Sequence, residues 1–268
     1  MTGRTRMART LDLNADLGEG IATSELTDAE LDLALLDVVT SANVACGGHA
    51  GDDASMARVC EAAVERGVAI GAQVSYVDRA GFGRTRLDVA PADLVAQLLE
   101  HVHLLRTHAR AAGGRVAYLK PHGALYNAAA DDPAVADAVV GAVLADAEDH
   151  RQLPLLTLPG CVLALRARAA GIEVVAEAFA DRAYTGEGRL VPRTFPGSVV
   201  HDPDAVVERV LRLERLGKVL SQDGTDVTVE ARSVCLHSDT DGAVDLARRV
   251  RHALWSAGVL LVPFSAVR

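Results

Sequence analysis

Short apolar runs alternate with helical patterns along almost the whole chain, and that alternation limits the possible folds more than any other feature. The segments TLDLN (10–14), ANVAC (42–46), VAIGAQV (68–74), VAYLK (116–120), LPLLTL (153–158), IEVVAEAF (172–179) and RSVCLH (232–237) read as buried strands, being brief and apolar. Helix starts lie between them. Thr27 and Glu30 are spaced as a capping box, and Pro91 opens a long helix to about residue 112. Asp132-Pro133 and Asp202-Pro203 pair a cap with proline at the first helical position, and one of Asp52 and Asp53 caps the helix after GGHAG. KVLSQDGTDVTVEA (218–231) interrupts the rhythm as a surface hairpin turning at Asp223-Gly224, and VLLVPF (259–264) is a candidate closing strand. About seven βα units with no linker or repeat predict an α/β protein, a (β/α) TIM-like barrel over residues 10–268, following a disordered basic tail at 1–9. A doubly wound open sheet is the alternative.

Half the residues are apolar but only 3% are aromatic, so Ala, Val and Leu do the packing, as suits helices laid on a parallel sheet. The formal net charge of −9 argues against nucleic acid and anionic membranes as partners and leaves a small molecule as the expected substrate. Four cysteines without CxxC spacing fit free thiols in a reducing compartment. The chain shows no signal-peptide pattern and no uninterrupted apolar run of membrane-spanning length, so a soluble cytoplasmic protein is expected.

Successive side chains of a strand point to opposite faces. Asp12, Asn14 and Asp16 therefore share a face opposite Leu11 and Leu13, and Tyr118, Lys120 and His122 share one opposite Leu119 and Pro121. Asn43 is in phase with His49, Gln73 with Ser75, Glu177 with Asp181, and Cys235 with His237 and Asp239. Each strand turns polar at its carboxyl end, which in an α/β barrel is the catalytic end. Asp16, His49, Lys120, His122, His237 and Asp239 are the candidate catalytic set, on the strength of converging from several strands. Lys120 is one of only two lysines, and a lysine, unlike an arginine, can lose its proton when buried. His101, His103 and His108 fall within a helix and read as surface or half-buried, as do His150, His201 and His252. Carboxylates with imidazoles can hold a divalent metal, or without metal supply a general base, a general acid and an oxyanion stabiliser. Either suits hydrolysis. G-x-S-x-G, HExxH and Walker A motifs are absent from the sequence. Arg84, Arg86, Arg182 and Arg193 are candidates for binding an anionic group, and the long stretch ADRAYTGEGRLVPR is a candidate lid.

DLNADLGEG (12–20), SANVACGGHAGD (41–52), SYVDRAGFGR (75–84), LKPHGALYN (119–127), ADRAYTGEGRLVPR (180–193) and CLHSDT (235–240) together closely resemble the family of 5-oxoprolinase A subunits, also known as LamB/YcsF. The resemblance implies a distorted seven-stranded barrel related to polysaccharide-deacetylase barrels. It also implies ATP-dependent opening of 5-oxoproline to glutamate with partner subunits B and C, ATP being engaged through the partners because this chain has no P-loop. On that footing Asp16 is a base or metal ligand, and His49 and His122 are metal ligands or acid–base groups. Lys120 stabilises oxyanion or phosphoryl charge, and His237 and Asp239 complete the rim. Asn14, Asn43, Arg84, Tyr126, Asn127 and Arg182 are the candidates for holding substrate. Two positions depart from the family pattern: Gln73-Val74 stands where His-Pro is usual, and Gly48 where phenylalanine is usual. Gln73 is a poor metal ligand beside histidine. The competing classes are a metal-dependent deacetylase or amidohydrolase and a non-catalytic binding subunit; the possibility of a homo-oligomer stays open.

Overall fold

The barrel closes on its first strand. The computed structural model describes residues 9–146, 152–239 and 242–265, so most of the expected tail, His150 and the expected helix start at Asp241 lie outside the described residues. Strand β1 (Arg9–Leu17) pairs in parallel with β2 (Ser41–Ala45) along Asn14 to Leu17, and with β9 (Ser233–Leu236) along Asp12 to Ala15. Strands β3 (Ala69–Val74), β4 (Val116–Pro121), β5 (Leu155–Thr157) and β6 (Val174–Phe179) follow in chain order, and β6 pairs with β9. The ring therefore holds seven parallel strands, and the open-sheet alternative is excluded. The last strand, β10 (Val259–Leu261), does not close the ring: it pairs with Arg9–Leu11, outside the stretch of β1 that meets β9. Arg9 thus belongs to a strand and not to the tail. The expected hairpin is present as β7 (Lys218–Leu220) and β8 (Asp226–Thr228).

Local chemistry sets the helix starts. Helix α1 (Asp28–Leu36) begins at a Thr27–Glu30 capping box, and α2 (Asp53–Arg66) at Asp52, whose side chain accepts from Ser55 N–H. Pro91 is the first residue of α3 (Pro91–Ala111). Asp132 and Asp202 cap α5 (Pro133–Ala145) and α7 (Pro203–Leu216), each ahead of its proline. The remaining helices are α4 (Gly123–Asp131), α6 (Val162–Ala169) and α8 (Ala243–Ser256). Among the described residues no helix is long and apolar enough to cross a membrane.

Two apolar layers result. Leu13, Leu17, Val44, Ala72 and Val74 on the outer strand faces pack with helix residues such as Leu31, Met56, Val59, Leu98 and Leu105. Inside the ring, Ala69, Tyr118, Leu156 and Val175 form a small separate cluster against Phe264. Tyr118 marks its top. Its ring packs 4.8 Å from Phe264, and its hydroxyl donates to Asn43 Oδ1 at 2.7 Å. The ring lies over Gly71, where an added Cβ would meet it at 2.1 Å.

His101 departs from expectation. It is buried on α3 against Gly48, where a Cβ would lie 2.7 Å from its Cε1, so a large side chain at 48 has no room. Burial pushes this imidazole down to about 4, and its Nδ1 has no hydrogen-bond partner among the described residues.

Gly71→Ala should destabilise the fold by about 3 kcal/mol, the upper end of the overpacking range, because the ring beneath it is confined on all sides. Urea unfolding measures this, and an unchanged midpoint refutes the packing. His101 should make stability acid-sensitive. Its folded value is depressed, so the unfolded chain binds more protons below about 6.5, and stability falls as pH drops from there towards 4. The size is about 3 kcal/mol over that window. His101→Leu should remove that part of the slope in urea titrations at pH 7 and near pH 4.5; parallel slopes in wild type and variant refute it.

Candidate active site at the carboxyl end of the barrel

Above the Tyr118 layer the interior is polar, and each rung satisfies the one below. Asp12 accepts hydrogen bonds from Thr40 Oγ1 and Ser41 Oγ, both at 2.6 Å, and from Ser233 Oγ across the β1–β9 seam. Burial nevertheless pushes its carboxyl up to about 6. One rung higher, Asn14 donates to Ser233 Oγ at 2.7 Å, and Asn43 donates to Asn14 Oδ1 and Asp16 Oδ1 at 2.7 and 2.8 Å. Lys120 comes next. Its ammonium donates to Glu177 Oε1 at 2.7 Å and to Asn14 Oδ1 at 3.1 Å, with Cys235 Sγ at 3.3 Å and Asp16 Oδ1 at 3.5 Å. The other Glu177 oxygen accepts from the Tyr126 hydroxyl at 3.1 Å.

These contacts decide the charge of the lysine. Burial alone would strip its proton, but Asp16, Cys235 and Glu177 beside it hold its pKa well above the ordinary lysine value. Burial would likewise raise Asp16, yet Lys120 and His122 hold its carboxyl well below the usual carboxylate range. The lysine is therefore a fixed cation and not, as its burial alone suggested, a neutral amine.

Two histidines form the next feature. The His49 and His122 rings stack 3.8 Å apart and 9° from parallel, with the Phe82 ring edge-on to both. Glu19 joins them: its Oε1 is 3.0 Å from His49 Nε2 and 3.6 Å from His122 Nδ1. His49 Nδ1 contacts Ser75 Oγ at 3.1 Å, and His122 Nε2 contacts the Phe82 carbonyl at 3.3 Å. Ligand atoms of Glu19, His49 and His122 lie within 4.8 Å of one another, so this trio is within reach of one cation. Asp16, expected in that role, stands at 3.8 Å from His122 Nδ1 and is engaged with Lys120. The loop GFGR pins the pair. Phe82 has φ of 54°, a left-handed conformation costly for an aromatic residue, and a Cβ on Gly83 would meet His49 Cβ at 2.7 Å.

At the rim, His237 Nδ1 is held at 2.8 Å from Asp181 Oδ1, and its backbone N–H donates to the same carboxylate. Its Nε2 has no hydrogen-bond partner among the described residues. Arg84 and Arg193 both bind Asp239 Oδ2, at 2.6 and 3.2 Å. The 180–193 stretch is a packed flap: Tyr184 is buried and its hydroxyl accepts from Phe179 N–H, while Arg182 donates to the Val191 and Ser198 carbonyls. Burial, then Arg193, pulls Arg182 down to about 10.

A cavity of about 520 Å³ opens among these groups. Asp16, Lys120, His122, His237, Asp239, Arg84, Tyr126, Asn127 and Arg182 line it, together with Glu19 and Arg193. Three expected residues do not. His49 is buried behind His122, and Asn14 and Asn43 sit one rung too low, where they hold Asp16 and Lys120. Arg86 is also elsewhere, on Asp132 at 2.5 Å. Glu19 went unsuggested by strand phase because the backbone leaves the extended path at Gly18, with φ of 70°.

A profile of the LamB/YcsF family matches residues 11–268. A 5-oxoprolinase A subunit from Streptomyces avermitilis is 60% identical over 95% of this chain and 100% of its own, and one from Mycobacterium avium is 51% identical over 95% and 98%. The crystal structure of a lactam utilization protein from Thermus thermophilus superposes with a TM-score of 0.86 at 39% identity, covering 95% of this chain and all of the other. Sequence and fold agree over nearly the full length, and the chain belongs to the LamB/YcsF family.

Proposed function

We propose that this chain is the A subunit of an ATP-dependent 5-oxoprolinase, opening the lactam of 5-oxo-L-proline to L-glutamate together with subunits B and C. The observation that carries the reading is 60% identity to a relative of that name over its whole length. The cavity chemistry supports it. A five-membered lactam is a stable amide, and a phosphoryl group placed on its carbonyl oxygen by ATP makes the carbonyl carbon open to water. The sequence contains no Walker A motif, so ATP is assigned to the partner subunits.

In this reading water adds to the phosphorylated ring carbonyl carbon, and the C–N bond breaks as the ring nitrogen takes up a proton to become the amine of glutamate. A second water releases inorganic phosphate from the γ-carboxyl phosphate so formed. We assign the proton transfer to the ring nitrogen to His237, which lines the cavity and whose Nδ1 is bound by Asp181. Lys120 supplies a permanent positive charge to oxygen charge developing at the cavity base. Arg84 and Arg193 share one carboxylate, Asp239, leaving positive charge for the substrate carboxylate. A non-catalytic binding subunit is the reading to test against.

ATP-dependent glutamate release should require this chain and both partners, shown by omitting each in turn. In the complete complex His237→Ala should lower kcat by about 10²–10⁴-fold, the range for losing one general acid–base group. Asp181→Asn should fall between wild type and that variant. Unaltered turnover by an intact His237→Ala complex makes the chain a binding subunit, and absence of turnover by the folded wild-type complex removes the 5-oxoprolinase reading.

A further inference from the structure

A carboxylate with two imidazoles is a composition that holds divalent cations, and Glu19, His49 and His122 converge closely enough to do so. What stands among them is the side-chain amide of Gln73. Its Nε2 is 3.0 Å from Glu19 Oε1 and 2.9 Å from His122 Nδ1, whereas its Oε1 is buried with no hydrogen-bond partner among the described residues. The neighbours decide this orientation. An amide nitrogen carries two hydrogens, one for each of those acceptors. Turned over, the amide would set its oxygen against a carboxylate oxygen and an imidazole lone pair. The orphaned Oε1 is the cost of the observed arrangement, and a charge-assisted bond to Glu19 offsets it.

A cation here would need the same two lone pairs that Gln73 now occupies, and would face amide hydrogens. The residues present therefore do not fit a cation while Gln73 keeps its orientation. We propose that Gln73 takes the place of a divalent cation, tying Glu19 to His122 by hydrogen bonds and leaving a metal-free acid–base cluster.

The tautomers follow. His122 Nδ1 accepts from Gln73, so its proton is on Nε2, which donates to the Phe82 carbonyl. Ser75 Oγ donates to the Tyr76 carbonyl at 2.9 Å, so it accepts from His49 Nδ1–H. His49 Nε2 lies 3.0 Å from Glu19 Oε1. Gln73 is thus a positioning residue, acting through Glu19 and His122, and the inference is independent of which substrate enters the cavity.

Cobalt(II) titration of the full-length chain tests it, read by visible d–d absorption and by calorimetry, with circular dichroism confirming that each protein is folded. The wild type should bind no cobalt up to millimolar concentration. Gln73→Ala, which removes the amide, and Gln73→His, which replaces it with a ligand, should bind one cobalt per chain at least tenfold more tightly than the wild type. If one of the variants fails to fold, the other carries the comparison. One equivalent bound by the wild type at micromolar cobalt and lost in Glu19→Gln overturns the proposal. So does failure of both folded Gln73 variants to bind, since the amide is then not what keeps the cation out.

Discussion

An ammonium group removed from water has to be matched by charge, and most of this barrel interior is arranged around that requirement. Lys120 is 3% exposed and lies between Asp16 and Glu177, with Asn14 as a further acceptor. Stripping one partner from a buried pair leaves an uncompensated charge and costs about 3–5 kcal/mol. The lower rungs serve the same end. Asn43 holds the Asp16 oxygen that faces Lys120, Asn14 is fixed by Ser233, and Tyr126 takes the free oxygen of Glu177. The groups at the cavity base are therefore positioned before any ligand arrives, as electrostatic catalysis requires.

Close backbone approaches let this network exist in so narrow a ring. Gly71 leaves space for the Tyr118 ring, Gly83 for His49, and Gly123 for the Gly83 carbonyl, which a Cβ would meet at 2.4 Å. The floor beneath is apolar and the mouth above is charged, and Tyr118 divides them with its ring on one side and its hydroxyl on the other. Strain is concentrated at Phe82, whose left-handed backbone lets one residue supply both a carbonyl to His122 and an aromatic edge to two stacked imidazoles.

Much of this was legible in the sequence, for identifiable reasons. Alternating apolar runs and capping residues marked the barrel, because strand burial and helix starts are local properties. Period-two phase placed Asp16, Lys120, His122 and His237 at one mouth. Phase says nothing about height, which depends on strand stagger, so Asn14 and Asn43 were expected one rung too high. It also fails where the chain turns, so Glu19, three residues beyond Asp16, was not suggested. Gln73 looked like a lost ligand in the sequence, whereas its amide nitrogen makes two of the contacts that hold the histidine cluster together. The protonation of Lys120 depends on neighbours from other strands and could not be read from its own.

The seam between β1 and β9 joins residues far apart in the chain: the Asn14–Ser233 hydrogen bond spans 219 positions. A ribosome making this protein releases the first strand long before its partner exists. Until residues 233–236 emerge, one edge of β1 and one edge of β6 stay unpaired, each offering free backbone groups to any passing strand. Only when β9 slots between them does the ring lose its edges. The interval in which those edges lie open is thus written into the strand order.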